Sequence, residues 1–331
     1  MKDGGLTRFG CLSYAVLTQT DDLGPTYAIE RTDDGNVRIS SDASASSEGG
    51  GDVLRVTIPP RFCGVDVTLG AAGASASISS IVEATLRVRT NGGDIELGSI
   101  KGASVDVDTN GGAIRARTVS ADTRARTNGG SMTMSGKLVG SLVYVDTAPG
   151  GSFMGESIFG DKININTGGG AVHAKSLRVS EIGVVRSDGG RIDVDGVEGA
   201  GEEMIALDSG GGDINVKFAE RVHIVHVNSR GGTIEASFPS GFAAPTHVVG
   251  SYLGKPTDGR IDLPSADDGL FTAHARVVHG SNDEIARKVS AGAEGASVTL
   301  DSDGASIDIC ATSWIASALA ASKRTSTSLS S

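Results

Sequence analysis

At 331 residues and 33.4 kDa the chain is rich in small side chains, with 48 glycines against 8 Phe, 4 Tyr and 1 Trp, which excludes a single thick core packed with large side chains. Glycine does not recur every third residue, which excludes collagen, and 38% hydrophobic residues in regular alternation exclude a disordered chain. A formal charge of −11, from 29 basic and 40 acidic residues, argues against nucleic acid or an anionic membrane as the main partner.

Met1 to Gln19 carries Lys2, Arg8 and Asp3, and Gly10, Ser13 and Tyr14 break its apolar content. That is a poor secretory signal, and no apolar run approaches the roughly 18 residues of a membrane helix. An intracellular location is favoured, with organelle import open. Residues 1–50 read as a partly flexible segment with one or two strands. Within it Arg31–Val37 resembles a faint copy of the repeat below, and residues 41–51 read as a loop. Strands at Asp52–Ile58 and Val65–Leu69 flank a Pro59-Pro60 corner, and residues 71–80 read as a small-residue link.

Residues 51–240 are dominated by one repeat. Thr90-Asn91-Gly92-Gly93-Asp94-Ile95 returns around Gly111-Gly112, Gly129-Gly130, Gly150-Gly151, Gly169-Gly170, Gly189-Gly190, Gly211-Gly212 and Gly231-Gly232, eight copies spaced 18 to 22 residues apart. After each glycine pair an alternating strand begins, as at Ile95/Leu97 or Ile192/Val194. An apolar anchor such as Ile100 or Leu138 follows. A second alternating stretch, such as Val105/Val107 or Val143/Val145, then leads to the next Thr or Ser. Period two with one apolar face predicts half-buried strands. Gly and Asn at the corners suit the positive φ that a sharp reversal needs.

Two columns bear on the tertiary arrangement. The residue before each corner Thr/Ser is Arg89, Asp108, Arg126, Asp146, Asn166, Arg186, Asp208 and Asn228. If copies stack in register about 4.8 Å apart, no like charges touch in this column. The inward Thr/Ser column would form a polar ladder, bonding itself and the corner backbone. The fold expected is all-β: a parallel β-solenoid of rungs about 20 residues long with Gly-Gly corners. An antiparallel meander or barrel would use the same Asn-Gly corners and is the alternative.

Beyond Phe238 the period is interrupted by Pro239, Pro245, Pro256 and Pro264, then reappears at Val298–Ile309 with Ala305 in the second-glycine place. Residues 241–310 therefore read as irregular terminal rungs with an insertion that closes one end. Residues 311–331 read as a flexible Ser/Thr-rich tail. The run from Thr90 to Gly130, preceded by Val53–Phe62, resembles the family of adhesin domains built from glycine-rich β-strand repeats, found in bacterial envelope proteins and in a eukaryotic branch. The resemblance spans roughly residues 50–240 and implies a solenoid-like fold and an adhesive or binding role.

Catalytic and metal chemistry finds little support. Asp106/Asp108 and Asp193/Asp195 each project from one strand face and could serve a glycoside-cleaving enzyme, but outward charges on a repetitive sheet also keep it soluble. His223 and His226 point to opposite sides of a strand, and His274 and His279 have no clear carboxylate partner. Cys11, Cys63 and Cys310 form no CxxC and no disulfide framework. No catalytic residue, metal or cofactor is assigned. The function expected is a non-catalytic scaffold or binding module for a protein or glycan partner, with a carbohydrate-active β-helix enzyme as the alternative. The candidate contact strip is Arg87, Asp106, Arg124, Tyr144, Asn164, Val184, Ala206 and His226, in the column next to the charged one.

Overall fold

The computed structural model describes residues 16–19, 27–31, 37–41, 54–57, 64–199, 202–219, 221–239, 242, 246–252, 255–262, 272–274, 276–278 and 297–312. The tail beyond residue 312, most of the 41–51 segment, the Pro59-Pro60 corner, Cys11, Cys63 and His279 lie outside them. In chain order the strands begin with β1 (Val16–Gln19), β2 (Tyr27–Arg31), β3 (Val37–Ser41), β4 (Leu54–Thr57) and β5 (Val65–Ala72). Six long strands follow: β6 (Ala76–Asn91), β7 (Ile95–Asp108), β8 (Ile114–Arg126), β9 (Met132–Asp146), β10 (Phe153–Asn166) and β11 (Val172–Arg186). Then come β12 (Ile192–Gly199), β13 (Met204–Asp208), β14 (Ile214–Phe218), β15 (Ile224–Asn228) and β16 (Ile234–Pro239). The last are β17 (Thr246–Tyr252), β18 (Lys255–Asp262), β19 (Thr272–His274), β20 (Arg276–Val278) and β21 (Ser297–Thr312).

Every rung-to-rung pairing from β3 on β5 through β14 on β16 is parallel. The antiparallel meander is thereby set aside, and the fold is a parallel β-solenoid of about eight turns. Register follows the repeat: Arg89 pairs with Asp108, Asp108 with Arg126, Arg126 with Asp146, and so on to Asn228. A residue that stacks on its equivalent 18 to 22 positions later belongs to a rung that closes on itself.

The closure is visible in the burial pattern. In β7, Ile95 and Leu97 face inward, then Ile100, then Val105 and Val107, all at most 4% exposed. Inward parity slips after Leu97 and again after Ile100, so each rung has a first flank, a short middle flank and a last flank. The Gly-Gly corner then returns the chain to the next first flank. One continuous core runs from Val65 to Ile309, built mostly from Val, Ile, Leu and Ala. Toward its C-terminal end Phe218 stacks on Phe238 with centroids 4.7 Å apart, and Phe242 lies tilted against Phe238 at 4.9 Å.

The two glycines of a corner have different reasons. Gly92, Gly111, Gly129, Gly189 and Gly231 have positive φ, as expected. Gly93, Gly112, Gly130, Gly190 and Gly232 do not. There a Cβ would overlap the carbonyl of the equivalent residue one rung below, as Gly112 would overlap Gly93 and Gly232 would overlap Gly212. Between the repeat rungs the second glycine is therefore set by axial packing, which corrects the purely conformational expectation; Ala74 and Ala305 take that place in the terminal rungs. The corner hydroxyls also behave differently from an inter-hydroxyl ladder. Thr90, Thr109, Thr167, Ser187 and Ser229 donate to the second-glycine carbonyl of their own corner at 2.5–2.6 Å. This satisfies a carbonyl that is otherwise buried against the rung above.

Two segments depart from the sequence expectation, and a third, at the C-terminal end, gives it a definite path. Residues 71–80 are not a link: Gly73 and Ala74 take the corner places beneath Gly92 and Gly93, and Ala76 stacks under Ile95. At the N-terminal side β3 extends the parallel stack beneath β5 and β2 pairs with it antiparallel, while β1 and β4 form a separate antiparallel pair. At the other end β21 fills the layer directly above β15 and β16, with Val298 on Val225 and Ile307 on Ile234. The intervening β17 lies above β21, Thr246 pairing with Val298. The chain thus skips one layer after β16 and returns to fill it. β18 and β20 add antiparallel strands beyond β17.

Candidate contact surface on the last flank

Outward residues of the last flank fall into three columns. The strip expected from sequence is one of them: Arg87, Asp106, Arg124, Tyr144, Asn164, Val184, Ala206 and His226 are consecutive register partners, continued by Thr299 of β21. Its two halves differ in chemistry. At the N-terminal half Arg87 contacts Asp106 at 3.3 Å and Arg89 reaches the same carboxylate at 3.9 Å. The guanidinium carbons of Arg124 and Arg126 lie 5.4 and 5.8 Å from the Tyr144 ring centroid, a cation–π cluster. Tyr144 donates its hydroxyl to Asp146 at 3.1 Å. In the charged column, Arg126 is thus turned onto Tyr144 although Asp108 and Asp146 flank it in register.

The C-terminal half carries an apolar band. The column beside the strip reads Leu142, Lys162, Ile182, Met204 and Ile224 in register. Leu142, Ile182 and Met204 are 46%, 42% and 44% exposed, three of the five large hydrophobics most open to solvent among the described residues. Together with Tyr144, Val184 and Ala206 they form a two-column apolar band interrupted at one rung by the exposed Asn164 and by Lys162, which pairs with Glu181 at 3.4 Å. The strip alone missed this band. Its signal was present as outward apolar pairs on alternate positions, Leu142-x-Tyr144, Ile182-x-Val184 and Met204-x-Ala206.

The carboxylates weighed for catalysis are engaged. Arg191 grips Asp193 with two bonds of 2.8 Å, and Lys217 reaches Asp195 at 2.5 Å. Asp108 accepts the Asn110 N–H at 3.2 Å. On the first flank the Ala113 backbone N–H, and then the Arg115 guanidinium, hold the Asp94 carboxyl below the usual carboxylate range. The Thr233 hydroxyl and backbone N–H do the same for Asp213. His226 is exposed on β15, whereas His223 lies just before that strand and is half-buried. Among the described residues no three His, Cys, Asp or Glu side chains converge as a metal site requires. No helix among them is long and apolar enough to cross a membrane.

Fold and surface together define a parallel β-solenoid with a two-part flank, charged at one end and apolar at the other. Residues 118–252 match the family model described as Toastrack DUF4097, a domain of β-solenoid-like fold. The match lies largely within the repeat and takes in the whole apolar band. No curated protein and no solved structure matches the chain.

Proposed function

We propose that the protein is a non-catalytic scaffold or binding module whose last flank docks a partner. The observation that carries this reading is the grouping of Leu142, Ile182 and Met204 beside Tyr144, Val184 and Ala206 on one flank. Such bands rimmed by polar groups are features of interaction sites. An apolar band favours a protein over a glycan, and the Arg124–Tyr144–Arg126 cluster adds an aromatic and cationic anchor of the kind enriched at interface hot spots. An adhesive role is one form this docking can take. The enzyme alternative gains no support from Asp106, Asp193 and Asp195, each of which is held by a counter-ion.

The test is affinity capture from native cells with quantitative mass spectrometry. Wild type is compared with Ile182→Lys/Met204→Lys and with Met154→Lys, an exposed change on the first flank. The expected result is a protein retained by wild type and Met154→Lys and reduced about tenfold or more by the double variant, since an interface core substitution of this kind costs at least about 1.4 kcal/mol. Equal recovery with the double variant contradicts the surface assignment. Turnover of an acidic polysaccharide that is lost in Asp106→Asn or Asp193→Asn contradicts the non-catalytic reading.

A further inference from the structure

Three Asn-Gly dipeptides occupy corners: Asn91-Gly92, Asn110-Gly111 and Asn128-Gly129. Asn-Gly is the dipeptide most prone to spontaneous deamidation, because glycine leaves its backbone nitrogen sterically open. That nitrogen loses its proton to solvent and attacks the Asn Cγ, forming a five-membered succinimide as the side-chain amide departs as ammonia. Water then opens the ring at either carbonyl to give aspartate or isoaspartate. The net change is one water consumed and one ammonia released, with no oxidant or cofactor. A backbone N–H that donates a hydrogen bond is held from this attack, and so is a carboxamide pinned at both its nitrogen and its oxygen.

The corners differ on both counts. Gly92 donates to the Thr109 carbonyl at 2.8 Å and Gly111 to the Thr127 carbonyl at 2.5 Å. The same bond to the rung above recurs at Gly189 and Gly211, at 2.5 and 2.6 Å. By this pattern Gly129 should donate to Thr147. The corner above it, however, carries one more residue, Thr147-Ala148-Pro149-Gly150-Gly151, and the Thr147 carbonyl accepts from Gly151 at 3.0 Å instead. Among the described residues the Gly129 N–H has no acceptor, and Gly129 itself is exposed.

The side chains tell the same story. Asn110 donates to the Asn91 carboxamide oxygen at 3.2 Å and Asn128 to the Asn110 oxygen at 3.1 Å. Asn91 in turn donates to the Gly70 carbonyl at 3.2 Å. Asn91 and Asn110 are therefore held at both ends of the carboxamide, whereas Asn128, at the top of the ladder, is held only through its nitrogen.

We propose that Asn128 is a spontaneous deamidation site of the folded protein, while Asn91 and Asn110, in the same local sequence, are protected by the stack. Conversion to aspartate removes the donor to Asn110. Conversion to isoaspartate lengthens the main chain two residues before Gly130, which packs without room for a Cβ over the Gly112 carbonyl. Either product loosens the junction between β8 and β9, two residues beyond Arg126 of the cationic cluster.

The experiment incubates the full chain at mildly alkaline pH and physiological temperature and follows all three sites by peptide mass mapping with isoaspartate detection. A parallel sample is kept in urea. The expected result is similar conversion of the three sites in urea, but conversion at Asn128 about tenfold or more faster than at Asn91 and Asn110 in the folded chain, since protected sites must first open locally. Folded Asn91 or Asn110 converting as fast as Asn128 overturns the proposal. So does an Asn128 that stays intact while the urea sample reacts. A second variant deletes Ala148 and carries Pro149→Asp, rebuilding a corner like Ser187-Asp188-Gly189-Gly190. It is expected to bring Asn128 down to the rate of the other two; an unchanged rate overturns the hydrogen-bond argument.

Discussion

The Gly-Gly edge and the bends on the far side of the rung reverse the same chain within the same thin layer, but by opposite means. At the Gly-Gly edge almost every corner has five residues with fixed tasks: a buried hydroxyl, a residue able to adopt positive φ, a positive-φ glycine, a glycine without room for a Cβ, and an outward residue. The bends have no such uniformity. Register shifts fall between Lys101 and Ser104 for β7 on β8, but at both Ala116/Val119 and Ser120/Thr123 for β8 on β9. Later the single long strand of a rung is divided in two, as β12 and β13 and as β14 and β15. Glycines occur there too, at Gly98, Gly102, Gly136 and Gly140, each over a carbonyl of the rung below, but without a constant place in the repeat. One edge holds the register of the stack, and the bends absorb most of the variation in rung length.

The sharpest way to break this comparison is to place a side chain at the fixed edge. Gly112→Ala should cost more than about 4 kcal/mol or prevent folding, because its Cβ overlaps the Gly93 backbone carbonyl. Gly111→Ala, with φ of 121° but only an ordinary van der Waals contact at 4.0 Å for its Cβ, should cost about 1–3 kcal/mol. Gly112→Val should likewise far exceed Asp106→Val, which removes only half-exposed ion pairs and should stay within about 1 kcal/mol. Denaturant melts rank all four, and equal costs for Gly112→Ala and Gly111→Ala would remove the distinction between the two glycines.

Next in size is the hydroxyl. Thr109→Val keeps the shape but strips the donor to the Gly112 carbonyl at 2.5 Å, leaving a buried acceptor unsatisfied. A loss of about 1–3 kcal/mol is expected in the same melts. A neutral result would mean that the hydroxyl column is filler and the glycines alone hold the edge.

The smallest effect lies on the exposed first flank. The folded state depresses the Asp94 pKa, so its contribution is complete above the unfolded carboxylate range and is lost as pH falls through the folded value. Asp94→Asn should therefore be less stable than wild type at neutral pH, by under about 1 kcal/mol after solvent screening. The gap should close as the pH is lowered into the acid range. A gap that persists at low pH would trace to packing at the corner, not to charge.

Much of this was legible in the sequence because a solenoid repeats its own evidence. The glycine pairs set the period, the apolar parity set the inward face, and the register of Arg89, Asp108 and Arg126 followed from counting. Other features left no local trace. The pairing of β21 beneath β17 joins segments some 50 residues apart in a stretch without a period. The axial direction of the missing Cβ at Gly93 or Gly112 cannot be read from glycine itself. Residues 71–80 hid a corner because Ala74 stands where later copies have glycine. The apolar band was legible but was cut short by following one column, and Arg126 found Tyr144 because a ring one rung away offers a flat face as well as a neighbouring charge.

The in-register stack is tested most directly by a distance along the axis. Spin labels at Arg89→Cys and Asp208→Cys, in a chain with Cys11, Cys63 and Cys310 replaced by serine, are six rungs apart by the observed pairing. Pulsed electron resonance should then give about 29 Å, six layers of about 4.8 Å. A separation near 58 Å, as two antiparallel strands per copy would give, contradicts the stacked rungs and everything placed on them.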